Sequence, residues 1–177
     1  MTEVFLGVGS NIDRESNLIA GLDALSALFG DLRTSAVYES EAIGFSGDPF
    51  LNMVVRAQSE LAVGALQRAL REIEYAHGRP KNAKRFSSRR LDIDILLVGT
   101  LAGDIDGVAL PRGEVLENAF VLRPLAELAP RHVHPTMNQT FSSLWASYDQ
   151  PSQPLTRLAL AWRGRTLGDD APLELAS

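Results

Sequence analysis

The residues whose types and spacing could do chemistry lie in one stretch, positions 79–94. Six of the 17 basic residues of the chain fall within the twelve positions 79–90, which contain no acid. They are Arg79, Lys81, Lys84, Arg85, Arg89 and Arg90. Because the chain has a net charge of −5, this local concentration of positive charge needs a cause. A solvated loop is one interpretation, and a loop that binds anions is the other.

Two aspartates follow the basic stretch directly and alternate with apolar residues. In a β-strand the side-chain period of two puts Asp92 and Asp94 on one face and the apolar residues on the other. Those apolar residues are Leu91, Ile93, Ile95 and Leu97. The Cα atoms of the aspartates would then be about 6.6 Å apart, close enough for both carboxylates to bind metal. An exposed strand face is the alternative, but an Asp-x-Asp strand entered from a basic loop favours magnesium.

Together, the acids and the basic residues predict a polyphosphate site. A polyphosphate is bound by metal on some of its oxygens and by guanidinium or ammonium groups on the others. Its transfer proceeds by alignment and electrostatic stabilisation, without a protein nucleophile, and two metal ions could serve the attacking and leaving oxygens. The run Gly7-Val8-Gly9-Ser10-Asn11 lacks the spacing and the lysine of a P-loop, so we interpret its glycines as a structural turn.

The elements that must position these residues alternate between strands and helices. Hydrophobic periodicity predicts strands at 4–8, 32–39, 50–58 and 91–98, and helices from Ser16 to Gly30 and at 63–77, 121–128 and 141–148. This order predicts an α+β protein with a ferredoxin-like split βαβ arrangement, a mostly antiparallel sheet packed with helices in an αβα sandwich. We expect one domain at 1–150 and a C-terminal appendage of unknown role at 151–177, where 155–167 could add a strand or hairpin.

Composition narrows the class of protein. With 177 residues, 45% of them hydrophobic and 22% charged, the chain predicts a folded domain. The absence of cysteine excludes disulfides, thiolate metal sites and a cysteine nucleophile, and is typical of a cytoplasmic protein. Negative net charge, no apolar run near the roughly 20 residues of a membrane span, and an acid at Glu3 predict no nucleic-acid partner, membrane partner or secretory signal. We expect a cytoplasmic monomer or weak homodimer.

Six motifs between residues 3 and 145 recur in the order and spacing of a known family. They are Phe5-Leu6-Gly7-Val8-Gly9-Ser10-Asn11, Tyr38-Glu39-Ser40, Phe50-Leu51-Asn52, Ile73-Glu74 with Gly78-Arg79, Arg89-Arg90-Leu91-Asp92-Ile93-Asp94-Ile95, and the run from Phe120 to Pro130. On these motifs the chain resembles the 6-hydroxymethyl-7,8-dihydropterin pyrophosphokinases, as a divergent member. These folate-pathway enzymes transfer pyrophosphate from ATP to a pterin alcohol and release AMP.

The resemblance implies a set of residues for ATP and metal. Asp92 and Asp94 would hold two magnesium ions at the phosphates of ATP. Arg79, Arg89 and Asp94 would be the catalytic residues. The other ATP contacts implied are Glu74, Lys81, Arg85, Ile95 and Arg112, the last of which stands where family members often have a histidine.

The resemblance also implies a pterin site. The ring would stack between Phe50 and Phe120, and Asn52 would hydrogen-bond its edge. The loop at Ile43 and Gly44 would close over it. By residue type alone, we would place both phenylalanines in the hydrophobic core.

Departures from the family pattern leave competing hypotheses. The histidine after Pro111 is replaced by Arg112, a basic residue usual near Asn118 is missing, and the loop at 40–49 carries the acid Glu41. A pterin- or nucleotide-binding paralogue with impaired catalysis is therefore an alternative to an active enzyme. An RNA-binding ferredoxin-like module is a third hypothesis, which the negative charge disfavours. The histidines have no metal-ligand spacing, and we expect His132-Val133-His134 to form a surface loop.

Overall fold

The structure, a computed structural model, describes residues 1–42, 47–79 and 88–169. The strands of these residues are β1 (Thr2–Ser10), β2 (Arg33–Thr34), β3 (Val37–Ser40), β4 (Phe50–Ser59), β5 (Asp92–Val98), β6 (Gly103–Ile105), β7 (Val108–Leu110), β8 (Thr156–Leu158), β9 (Ala161–Trp162) and β10 (Arg165–Thr166). The α-helices are α1 (Arg14–Phe29), α2 (Val63–Ala76), α3 (Glu114–Glu117), α4 (Ala119–Leu128) and α5 (Phe141–Ala146). All of these helices are too short or too polar to serve as membrane spans.

The main sheet has the strand order β5-β1-β4-β3-β8, and β2 also pairs with β4. Its pairings are all antiparallel. Strand β1 lies between β4 and β5, so the two strand–helix–strand units, β1-α1-β3 and β4-α2-β5, are interleaved. This is the ferredoxin-like split βαβ arrangement, and the predicted α+β fold class is confirmed.

Helices cover both faces of the sheet. On one face, α1 and α2 pack their leucines against alternate residues of the central strands. This cluster includes Val4, Leu6, Val8, Leu18, Leu22, Leu25, Leu51, Met53, Leu66, Leu70, Ile93 and Ile95, all at most 2% exposed. On the other face, α4 and α5 form a second cluster with Phe5, Val54, Leu96, Leu97, Leu122, Leu125 and Phe141. The second cluster covers only part of its face, and the remainder is open.

A β-bulge divides β5 into two parts. Phe5 lies opposite Leu97, whereas the next residue of β1, Leu6, lies opposite Ile95, so Leu96 is the extra residue. The bulge turns Leu97 to the α4 face, where it packs with Phe5. The prediction that Leu97 shares a face with Ile95 is therefore wrong. The alternation from 91 to 95, which carries both aspartates, lies before the bulge and is unaffected.

Two local predictions also need correction. Helix α1 begins at Arg14, and Asp13, with φ 44°, is at its N-cap position. Ser16 therefore lies within the first turn, where its hydroxyl donates to the Asp13 carbonyl at 3.0 Å. His134 is not in a surface loop: it is 2% exposed, and its Nδ1 accepts from the backbone N–H groups of Thr136 and Met137. The ring packs edge to face against Phe141, with ring centroids 6.3 Å apart.

The chain beyond residue 150 continues the sheet. Strand β8 pairs with β3 at the edge of the sheet, and Leu167 is buried in the cluster of the α1 and α2 face. A Cβ on Gly168 would lie 2.7 Å from the Ala36 Cα, so the two segments are in close contact. The division of the chain at residue 150 stays a prediction.

Candidate active site

The open part of the α4 face is a cavity of about 370 Å³. It is lined by residues of β1, β3, β4, β5, α2, α3 and α4 and of the segments that join them. The charged and aromatic residues that line it are Glu41, Phe50, Arg71, Arg79, Arg89, Asp92, Asp94, Arg112, Glu114 and Phe120. One concave site thus contains both predicted aspartates, two glutamates and four arginines beside two aromatic rings.

Two glycines of β1 form the floor of the cavity. Gly9 lies between Asn52 of β4 and Asp92 of β5, and Gly7 lies between Val54 and Asp94. A Cβ on Gly9 would be 2.7 Å from Asn52 Oδ1, closer than non-bonded atoms approach. The interpretation of these glycines as a turn is wrong because β1 continues through them to Ser10. Their missing side chains leave room on the sheet for Asn52 and for a ligand.

Asp92 and Asp94 both face the cavity, as their strand spacing predicts. Burial in the cavity wall raises the pKa of both carboxyl groups. The negative charge of Glu74 raises the pKa of Asp92 further, and that of Asp92 does the same for Asp94. Arg112 lowers the pKa of both, but not enough to offset burial. Two neighbouring oxygen ligands at an open cavity fit a magnesium ion that takes its remaining ligands from phosphate and water.

Glu74 of α2 is fully buried and holds the wall behind the aspartates. Its Oε2 accepts from the backbone N–H of Ile93 at 2.8 Å, and its Oε1 accepts from Arg71 Nη1 and Arg79 Nη1, each at 2.8 Å. Because Ile93 lies between the two aspartates, this bond fixes the edge of β5 that carries them. Glu74 therefore lies behind the wall of the cavity and positions the groups that line it.

Arg112 bridges two acids at the cavity. Its Nη2 lies 3.1 Å from Glu114 Oε1 and 3.7 Å from Asp94 Oδ1. Its backbone N–H donates to the Leu96 carbonyl, which attaches the segment before α3 to the edge of β5 at the bulge. Arg112, which stands where the family pattern has a histidine, thus places a positive charge beside Asp94 of the predicted metal pair.

Asn11, at the end of the first motif, holds the segment that carries Arg89. Its backbone N–H donates to the Arg89 carbonyl at 3.0 Å, and its Oδ1 accepts from the Arg89 N–H at 2.7 Å. Its Nδ2 also donates to the Asp48 carbonyl and to Ser88 Oγ. One asparagine therefore anchors both chain segments that border the cavity at this end.

Three of the residues expected to bind the pterin, Phe50, Asn52 and Phe120, also line the cavity. Phe50 is on β4 and Phe120 on α4, so the two rings come from the sheet and from the helix that covers it. Asn52 is 9% exposed, and its Nδ2 donates to Ser40 Oγ at 2.9 Å, which fixes its amide. Helix α4 is held to this side of the sheet by Glu127, which accepts from the hydroxyl of Tyr38.

The structure brings eight of the predicted site residues to one cavity: Phe50, Asn52, Arg79, Arg89, Asp92, Asp94, Arg112 and Phe120. Ile95 is 2% exposed in the cluster on the opposite face of the sheet, so its side chain does not line the cavity. Ile43, Gly44, Lys81 and Arg85 lie outside the described residues. Arg71, Glu114 and the anchoring role of Asn11 were not predicted. The signal for Arg71 was its position three residues before Glu74, on the same face of α2.

Two aspartates beside four arginines in one open cavity have the charge arrangement that transfer of phosphate groups requires, with metal-binding carboxylates and guanidiniums at the same site. Comparison with known proteins identifies which class. The family model described as 7,8-dihydro-6-hydroxymethylpterin-pyrophosphokinase (HPPK) matches residues 5–130. The chain belongs to this pyrophosphokinase family, as the motifs predicted.

Curated relatives agree with the family model. A 2-amino-4-hydroxy-6-hydroxymethyldihydropteridine pyrophosphokinase from Aquifex aeolicus is 33% identical over 137 residues, which are 76% of this chain and 85% of that protein. The protein of the same name from Methylorubrum extorquens is 37% identical over 73% of this chain and 84% of its own length. The one from Pseudomonas aeruginosa is 36% identical over 72% of this chain and 80% of its own length.

Solved structures show the same fold. Wild-type Plasmodium falciparum HPPK-DHPS, crystallised with SDX-DHP, matches 98% of this chain with a TM-score of 0.68. Its sequence is 13% identical, and this chain spans 49% of its length. At this identity the match shows the fold alone.

Proposed function

We propose that this protein transfers pyrophosphate from ATP to the hydroxymethyl group of 6-hydroxymethyl-7,8-dihydropterin and releases AMP, a step of folate biosynthesis. The observation that carries the proposal is the single cavity in which the acid pair, four arginines and the set Phe50, Asn52 and Phe120 meet. The pterin hydroxyl oxygen would bond to the β-phosphorus of ATP, the bond from that phosphorus to the α,β-bridging oxygen would break, and the hydroxyl proton would be lost.

The acid pair and the arginines divide the charge of the triphosphate between them. Two magnesium ions, bound by Asp92 and Asp94, would neutralise triphosphate oxygens and polarise the reacting phosphorus. Arg79 and Arg89 would bind the remaining oxygens and stabilise the charge that develops in the transition state. Arg112 would bind a further phosphate. Lys81 and Arg85 stay predicted ATP contacts.

The other end of the cavity suits a flat, polar heterocycle. The faces of Phe50 and Phe120 offer stacking surfaces, and the amide of Asn52 both donates and accepts hydrogen bonds. Because Ser40 Oγ already binds Asn52 Nδ2 and Gly9 leaves space at Oδ1, the amide is held in one orientation before the ligand arrives. A preformed site of this kind lowers the entropic cost of binding.

The alternative of a paralogue with impaired catalysis is not favoured, because relatives that match over most of their length are named pyrophosphokinases. The cytoplasmic location and the monomeric or weakly dimeric state stay predictions.

The direct test is incubation of the protein with ATP, Mg²⁺ and 6-hydroxymethyl-7,8-dihydropterin. We expect AMP and not ADP, together with an equal molar amount of a pterin product that is heavier by one pyrophosphoryl group. Chromatography and mass spectrometry measure both products. Omission of Mg²⁺ and, separately, of the pterin should each abolish AMP formation. Formation of ADP, or no nucleotide product with fully folded protein, would contradict the proposal.

A further inference from the structure

Gln153 binds the backbone at the junction between α3 and α4, although it lies beyond the last motif of the sequence. Its Oε1 accepts from the backbone N–H of Ala119 at 3.0 Å, and its Nε2 donates to the Glu117 carbonyl at 3.2 Å. The hydroxyl of Tyr148 donates to the same carbonyl at 2.7 Å. One amide side chain therefore binds the peptide groups on both sides of Asn118.

The junction needs partners of this kind because the helical backbone is interrupted there. Asn118 is extended, with φ −111° and ψ 124°, between the two helices. The first N–H groups of an α-helix have no partner within the helix. Ala119 begins α4 and is 0% exposed, so its N–H must be bound from elsewhere. Within the part of the chain that the structure describes, the Asn118 side chain makes no capping bond, and the Gln153 amide supplies the acceptor.

The junction also carries residues of the cavity. Asn118 and Phe120 both line it, and Phe120 directly follows the residue whose N–H is bound by Gln153. The other end of α4 is held separately, by the bond from the Tyr38 hydroxyl to Glu127. With that end fixed on β3, the bonds of Gln153 determine where the first turn of α4, and with it the ring of Phe120, lies at the cavity.

A short turn fixes the position of Gln153 itself. Its backbone N–H donates to the carbonyl of Gln150, which begins the 3₁₀ turn Gln150–Ser152. The hydroxyl of Ser152 donates to the Asp149 carbonyl at 2.6 Å. The amide therefore reaches the junction from an ordered segment, so that it can hold the junction in place.

We propose that Gln153 is a positioning residue that holds Phe120 in the place where the pterin stacks on it. Gln153 is not among the described residues that line the cavity, so it acts through the first turn of α4. The proposal rests on the function proposed above and gives the segment beyond residue 150 a role in it. Because the residues proposed for the nucleotide all lie outside α4, loss of the Gln153 side chain weakens pterin binding and leaves nucleotide binding unchanged.

The test compares Gln153→Ala with Gln150→Ala, which removes the same side chain three residues earlier. Gln150 is exposed and donates to the Trp145 carbonyl instead. Fluorescence titration with the pterin, in the presence of Mg²⁺ and α,β-methylene ATP, should give a Kd about fivefold higher or more for Gln153→Ala, since the buried Ala119 N–H loses its acceptor. Gln150→Ala should stay within about twofold of the wild type. Calorimetric titration with the nucleotide analogue should give the wild-type Kd for both variants.

A double-mutant cycle with Phe120→Ala shows whether Gln153 acts through that ring. Gln153→Ala should raise the pterin Kd about fivefold when Phe120 is present and less than about twofold when Phe120 is already alanine. A general loss of stability would act in both backgrounds alike, and urea unfolding measures it. Tyr148→Phe removes one of the two donors to the Glu117 carbonyl and is a milder variant, with a pterin Kd about threefold higher.

Three outcomes would overturn the proposal while leaving the pyrophosphokinase function intact. They are equal pterin affinities for Gln153→Ala and Gln150→Ala, the same change in Kd with and without the Phe120 ring, and an equal loss of nucleotide and pterin affinity. A wild-type protein that binds no pterin would overturn both the positioning role and the proposed function.

Discussion

The two faces of β5 differ in chemistry although their residues alternate one by one. Leu91, Ile93 and Ile95 are each 2% exposed and pack against helices on one side. Asp92 and Asp94 face the cavity on the other side, where burial raises the pKa of both. The apolar face stabilises the fold. The acidic face is costly to the fold unless a cation compensates it, which is typical of a functional site.

The difference between the faces predicts opposite results for neighbouring substitutions. Asp94→Asn should lower the rate of AMP formation by about 1,000-fold or more, because a metal ligand at the reacting phosphates is lost. Its free energy of unfolding should not fall, since the change removes a poorly solvated charge. Rate assays and urea unfolding of the same preparation measure both. A variant with the wild-type rate would contradict the role of the acidic face.

The matching change on the apolar face is Ile93→Ala. It should lower the free energy of unfolding by about 3 kcal/mol through lost burial and the cavity left behind. The folded fraction should retain most of its activity, because the backbone N–H of Ile93 can still bind Glu74. Urea denaturation gives the stability, and activity is scaled to folded protein. A large loss of activity with unchanged stability would show that the two faces are not separable.

The glycines of β1 extend the comparison to the floor of the cavity. In Gly9→Ala the new Cβ would press on Asn52 Oδ1 at 2.7 Å and displace the amide, so pterin affinity should fall about tenfold. Gly7→Ala is the comparison, because it adds the same methyl group to the cavity floor but meets only the Leu96 side chain, at an ordinary 3.5 Å, and does not displace Asn52. Fluorescence titration with the pterin measures both. Equal effects of the two changes would argue against a role of Gly9 in placing Asn52.

A smaller effect, on the pH dependence of stability, should come from two histidines on the α5 side of the sheet. Burial lowers the pKa of His134, whose Nδ1 accepts hydrogen bonds from two backbone N–H groups when the ring is neutral. Because the histidine of the unfolded chain, with a pKa of about 6.5, binds a proton more readily, this contribution to stability is full above that pH and falls as the pH decreases below it. Burial also lowers the pKa of His132, so both contribute. Unfolding free energies from pH 5 to 8 test this. His134→Asn, which can still accept a hydrogen bond, should flatten the dependence, and an unchanged slope would exclude His134 as a source.

Much of the fold could be predicted because it follows from local periodicity. Alternation at 91–95 placed both aspartates on one face, and the apolar stripe of α2 ends within one residue of its prediction. The bulge at Leu96 could not be predicted, since it depends on how β5 pairs with β1. Strands β6 and β7 were not predicted, although Asp106-Gly107, both with positive φ, is a typical hairpin turn.

The candidate site was predicted in part, and for different reasons at different residues. The metal pair follows from residue type and spacing. Phe50 and Phe120 were included only through the family resemblance, because aromatic residues in a sheet and a helix are ordinarily core. Asn11 was missed because its partner Arg89 is 78 residues away in the sequence. Arg71 was missed because an arginine on a helix is ordinarily solvated, and nothing in the sequence shows that its partner Glu74 is buried.

The most direct test is a crystal structure with Mg²⁺, α,β-methylene ATP and 6-hydroxymethyl-7,8-dihydropterin. We expect cations bound by Asp92 and Asp94 beside the phosphates, and the pterin ring between Phe50 and Phe120 with its hydroxyl directed at the β-phosphorus. Ligands bound outside this cavity, or phosphates bound with no cation at the two aspartates, would contradict it.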